Sequence, residues 1–152
     1  MVFGFSTFFV EEFVMRIGFK SLLEMAQNGD VEAQFQVAER YSLGKGVKQS
    51  FKKAVEWYAK AAQAGHAVAQ YELAACYEDA TGVEEDLGLA VKWYKASAEN
   101  GYAEAQYYLG LCYSTGDIVE HSLVRAIEWY KKAAAQGHQG AIDALTREGY
   151  VV

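Results

Sequence analysis

The side chains able to catalyse a reaction or hold a metal in this 152-residue chain are two cysteines, three histidines and 20 acidic residues. A cysteine nucleophile needs a neighbouring base or cation to become a thiolate. Cys76 and Cys112 instead fall on the packing side of a helical stripe. His66 and His138 share one position 72 residues apart, at the start of a helix, and His121 lies in a loop segment. No pair of His, Cys or carboxylates has the spacing of a zinc site, so the histidines read as surface or helix-capping residues. The run Gly44-Lys45-Gly46-Val47-Lys48-Gln49-Ser50 has the flavour of a phosphate loop. It lacks the G-x-x-x-x-G-K-[ST] spacing, and no strand precedes it. We therefore expect no enzyme, no cofactor and no metal.

Composition narrows the class further. With 52% hydrophobic and 22% charged residues and no proline, the chain suits a helical globular domain rather than a disordered one. A net charge of -6 argues against nucleic acid as a partner, because displacing counterions from phosphate needs a basic face. The Phe-rich start, Met1 to Val10, has no preceding Lys or Arg and is followed at once by Glu11 and Glu12, unlike a secretory signal. No run reaches the ~20 apolar residues of a membrane span. The expectation is a cytoplasmic protein.

The elements that position these residues come from an internal repeat. Gly29, Gly65, Gly101 and Gly137 are each 36 residues apart. The same interval relates Trp57, Trp93 and Trp129, then Tyr58, Tyr94 and Tyr130, then Tyr41, Tyr77 and Tyr113, and Ala33-Gln34 returns as Ala69-Gln70 and Ala105-Gln106. Within each unit Ala33, Val37, Ala38 and Tyr41 mark an amphipathic helix by their spacing of three and four. First helices are expected at roughly 30–43, 66–79 and 102–115, and second helices at roughly 51–64, 87–100 and 123–136. Ser50, Asp86 and Ser122 precede the second helices as N-caps, and glycines close both kinds of helix. A lone helix pair cannot bury its stripe, so the units must stack. The Trp-Tyr pairs then read as core.

Written out, a unit is A-Q-x-x-L-[AG]-x-x-Y-x-x-G-x-G-V-x-x-[SD]-x-x-x-A-[VI]-x-W-Y-x-x-A-A-x-x-G. This resembles the SEL-1-like repeat, a relative of the tetratricopeptide repeat. The resemblance implies an all-α fold, a right-handed α-solenoid of antiparallel helix pairs. It divides the chain into an N-terminal helical cap (1–28), repeats at 29–64, 65–100 and 101–136, and a C-terminal capping helix (137–152), forming one domain. Residues 7–17 are expected to add a helix, with a bend at Gly18 before a degenerate helix over 21–28. Ala80 and Ile118 replace loop glycines, so their loops are expected to turn differently. Some family members carry a disulfide across each helix pair; here neither Cys76 nor Cys112 has a partner within its unit, and free thiols are expected.

The family's usual role is as an adaptor or scaffold without activity of its own. The resemblance places the first helices on the concave face, which would carry Glu32, Gln36, Glu39, Tyr71, Glu72, Glu78, Asp79, Glu104, Tyr107, Tyr108 and Leu111. First helices carry net charges of -2, -3 and -1, and second helices +2, +1 and +2. The expected groove is acidic over two units and aromatic over the third. It suits a basic or amphipathic segment of another protein, with aromatic anchors and electrostatic steering. The same residues could instead make a merely solvated face, with the tyrosines packed between units. Two different roles are also compatible with the sequence. The chain could be a cognate inhibitor of a bacterial toxin, as some small family members are. It could also form a homodimer or touch a membrane surface through Phe3, Phe5, Phe8, Phe9 and Phe13.

Overall fold

The computed structural model describes residues 7–150, with side chains at Val14 and Arg16 and from Gly18 onward. Among the described residues the fold is entirely helical: α1 (Thr7–Gln27), α2 (Val31–Leu43), α3 (Phe51–Gln63), α4 (Ala67–Glu78), α5 (Leu87–Glu99), α6 (Ala103–Thr115), α7 (Leu123–Ala135) and α8 (Gln139–Arg147). Each helix packs on the next in chain order, and α6 also touches α8, as expected of a solenoid of stacked pairs. The six central helices start and stop within about one residue of the positions read from the sequence.

Local chemistry sets these bounds. Ser50, Asp86 and Ser122 accept a backbone N–H from the third residue beyond them, at Lys53, Leu89 and Arg125. Asp30 caps α2 in the same way, through the N–H of Ala33 at 2.7 Å. The connections repeat too: Ser50, Asp86 and Ser122 donate their N–H to the carbonyls of Tyr41, Tyr77 and Tyr113 at 2.9, 3.0 and 2.9 Å. Small side chains let the helices approach closely. Ala33, Ala69, Ala105 and Ala141 are buried at one repeat position, and Val37, Leu73, Leu109 and Leu145 at the next turn. The Ala-Gln pair acquires a reason here. Gln34, Gln70 and Gln106 donate from Nε2 to the carbonyls of Ala26, Ala62 and Ala98 at 3.2, 3.0 and 3.0 Å, tying each first helix to the end of the preceding second helix.

Two expectations need correction. Ala80 does not redirect its loop: it takes φ 54°, in the left-handed region beside Gly44 (φ 69°) and Gly116 (φ 74°). The closing bond from Asp86 N–H to Tyr77 O holds it there, at the steric cost that any Cβ bears in this region. At Ile118 the difference is real, because Gly46 and Gly82 have positive φ and Ile118 does not. Secondly, α1 runs unbroken through Gly18 as one helix. A mid-helix glycine costs only about 1 kcal/mol, and packing against α2 outweighs it, with Phe19 edge-on to Tyr41 at 5.3 Å. Phe3 and Phe5, and the side chains of Phe8, Phe9 and Phe13, lie outside the described residues.

Candidate functional site

The eleven groove residues sit on α2, α4 and α6, apart from Asp79, which caps the end of α4, and they form three groups. In the first, the chain supplies its own partners. Gln36 Nε2 donates to Glu32 at 2.9 Å, and His66 Nε2 meets the other Glu32 oxygen at 3.1 Å. Those hydrogen bonds and the histidine hold the Glu32 carboxyl below its ordinary value. His138 repeats the arrangement with Glu104 at 2.9 Å. Both histidines accept a backbone N–H at Nδ1, from Ala69 and Ala141, so they are helix caps as their position suggested. His66 stacks on Phe35 and His138 on Tyr107, each at 4.5 Å.

The second group is an aromatic cluster around Glu78. Tyr94 and Tyr108 donate their hydroxyls to its two oxygens at 2.7 and 2.6 Å. Burial and then the bond to this carboxylate push both tyrosine hydroxyls up, so they stay protonated donors. Tyr71 stands edge-on to Tyr94, Tyr102 and Tyr108 at 5.4, 5.4 and 6.3 Å, and burial, then Glu104, pushes its hydroxyl up to about 12. Leu111 is half-buried against the core of the last repeat. Glu78, which sequence places in a free acidic groove, is instead held by its neighbours. The signal was out of reach because its partners lie 16 and 30 residues away.

The third group surrounds a cleft of about 170 Å³ between α2, α3 and α4. Ser42, Ala54, Tyr58, Glu72, Ala75, Cys76 and Asp79 line it. Glu39 is close enough to Glu72 to act on it: burial first, and then the Glu39 charge, raise the Glu72 carboxyl above its ordinary value. Among the described residues, the ion pairs are those of the two histidines, and no Lys or Arg neutralises Glu39, Glu72 or Asp79. Sequence reasoning finds these three carboxylates, and Ser42 shares the face expected to turn inward, but it misses Tyr58 and Cys76 beside them. Burial, then Glu72, pushes the Cys76 thiol up to about 11, which keeps it protonated and a poor nucleophile. Burial likewise pushes Cys112 up to about 11. Among the described residues, no three His, Cys, Asp or Glu side chains gather as a metal site, and no helix is long and apolar enough to cross a membrane.

The second helices differ in character. Lys60 and Lys132 lie over the rings of Trp57 and Trp129 at 3.9 Å, and Lys92 over Trp93 at 5.8 Å. Basic side chains of the second helices thus lie over the tryptophan rings of the same helices.

A family model described as Sel1 repeat matches residues 31–66, 67–102 and 103–138, the same period set two residues later than the glycines suggest. Among solved structures, a Sel1 repeat protein from Oxalobacter formigenes is 40% identical, with TM-score 0.78, over 84% of this chain and 96% of that one. A protective antigen of uropathogenic Escherichia coli with an SLR fold is 38% identical, with TM-score 0.77 over 82% of this chain, which spans only 27% of that antigen. Helicobacter pylori cysteine rich protein B is 22% identical with TM-score 0.67 and shares the fold. Among curated proteins, none matches significantly.

Proposed function

The chain belongs to the Sel1 repeat family, whose members generally mediate protein–protein interactions on a scaffold generally without enzymatic activity, and from that premise we propose that it is an adaptor whose first-helix wall holds a basic or amphipathic segment of another protein. The observation that carries this reading is an open cleft lined by Glu72 and Asp79, with the Glu39 charge close to Glu72 and, among the described residues, no Lys or Arg paired with any of the three. Glu72 is half-buried, and a carboxylate withdrawn from water is normally paired because desolvating a charge is costly, while the exposed Glu39 and Asp79 add negative charge beside it. Here the missing counter-charge is what a docking Lys or Arg would bring, and unscreened acidic surface would also speed the encounter. Tyr107, Tyr108 and Leu111, further along the same wall, offer half-buried apolar area to the next part of such a segment. The positions that recur in all repeats build the stack, so specificity falls to the varying ones.

The test reverses the charge without touching the stack. The triple variant Glu39→Lys, Glu72→Lys, Asp79→Lys should keep its helical content by circular dichroism. Used as bait beside the native chain, it should lose whatever polypeptide the native chain retains at low salt. Retention of the same polypeptide at equal strength would contradict the reading.

A further inference from the structure

The cleft has a counterpart one repeat later, since every lining position has an equivalent 36 residues on. Ser42, Ala54, Tyr58 and Cys76 become Glu78, Ala90, Tyr94 and Cys112, while Glu72, Ala75 and Asp79 become Tyr108, Leu111 and Thr115. At that later step the molecule supplies an occupant. The Tyr108 ring lies 4.5 Å from Tyr94, the equivalent of Tyr58, and its hydroxyl donates to Glu78 at 2.6 Å. A planar group set against a tyrosine at a tilt of 45°, tipped with a hydrogen-bond donor that reaches a carboxylate, is therefore what this scaffold accommodates between repeats. At the earlier step that side chain is missing. Glu72 and Ala75 leave the space open, and the carboxylates have moved to its wall and rim.

From this we infer that the cleft between the first two repeats is a receptacle for one arginine side chain of the docked polypeptide. The guanidinium plane would stack on the Tyr58 ring, with its fork on Glu72 and Asp79 and its stem along Ala54, Ala75 and Cys76. Arginine fits better than lysine because it alone combines a flat, stackable face with donors in a fork that matches carboxylates. The raised Glu72 carboxyl agrees with a group that lacks its counter-charge. The inference rests on the adaptor reading and specifies one subsite within it.

Side-chain analogues test it without knowledge of the partner. We would titrate n-butylguanidinium, n-butylammonium and uncharged 1-pentanol into the full chain carrying ¹³C-labelled alanine methyls, and follow Ala54 and Ala75 by NMR. Expected is saturable binding of butylguanidinium at millimolar concentration, at least about fivefold tighter than butylammonium, with 1-pentanol showing no saturation. Glu72→Gln should weaken butylguanidinium about tenfold. The double variant Glu72→Tyr, Ala75→Leu, which transplants the later step's own occupant, should fold and abolish binding. Equal binding of 1-pentanol, equal binding of butylammonium, or undiminished binding in the folded double variant would each overturn the inference. If the analogues fail while the triple lysine variant still loses its polypeptide, the receptacle is wrong and the adaptor reading survives. If that variant retains its polypeptide, the adaptor reading itself falls.

Discussion

Two successive steps of the stack, from first repeat to second and from second to third, share one backbone plan and differ in what fills the space between helices. In the later step Glu78 receives two tyrosine hydroxyls, Tyr71 and Tyr108 close over Tyr94, and Ser97 donates to the Ala67 carbonyl at 2.6 Å in a fully buried position. In the earlier step the equivalent of Ser97 is Ala61, the equivalent of Tyr108 is Glu72, and a cleft remains. Glu72 and Glu78 lie on one helix, fewer than two turns apart. One carboxylate completes a hydrogen-bonded cluster, while the other is partly desolvated with only like charge beside it. A carboxylate therefore takes its meaning from the neighbouring repeat rather than from its own helix.

The two steps should respond alike at the core, where their packing is equivalent. Leu73→Ala and Leu109→Ala each empty a fully buried site and should cost about 2–5 kcal/mol by urea denaturation. A difference greater than that spread would mean that the two steps are not built on equal packing. Next comes the contrast between the carboxylates. Glu78→Ala should cost about 1–3 kcal/mol, because the buried Tyr94 and the half-buried Tyr108 lose the acceptor for their hydroxyls. Glu72→Gln should be neutral or slightly stabilising at pH 7.

Titration separates that pair further. Glu72 is raised in the fold above its ordinary 4.5, so its contribution is fully present below about pH 4.5 and is lost as pH rises through its elevated value. The advantage of Glu72→Gln over the native chain should therefore grow between about pH 4 and pH 7 in the same urea experiment. Glu32 has the opposite sign: its contribution is present above 4.5 and lost as pH falls through its lowered value. The smallest effect lies in the loop. Ala80→Gly should stabilise by about 0.5–1 kcal/mol, since glycine adopts the left-handed conformation without the Cβ penalty and gives back part of the gain in chain entropy. A destabilised Ala80→Gly protein would show that the alanine methyl does something the φ angle does not reveal.

How much of this was legible depended on distance along the chain. The stack was readable because Ala33, Val37 and Tyr41 and their counterparts repeat a packing requirement, and helix starts because Ser50, Asp86 and Ser122 act on residues three positions away. The turn at Ala80 was not readable, because a tertiary closure, from Asp86 N–H to Tyr77 O, overrides the local preference of alanine. The groove was only partly readable. Glu72 and Asp79 line one cleft, with the Glu39 charge near Glu72. Glu32, Glu78 and Glu104 are engaged by His66, by Tyr94 and Tyr108, and by His138, all 16 to 34 residues away. Sequence shows which side chains share a helix face, but not which neighbour has already bonded to them.

Whether the wall of α2, α4 and α6 holds a polypeptide decides the matter. An NMR shift map of the chain saturated with the polypeptide it retains answers that question without intermediaries. Changes are expected at the Ala75 and Leu111 methyls and at the Tyr107 and Tyr108 rings, with Trp57, Trp93 and Trp129 on the second helices unmoved. Changes confined to α1 or to the tryptophan-bearing helices would rule the wall out as the docking face.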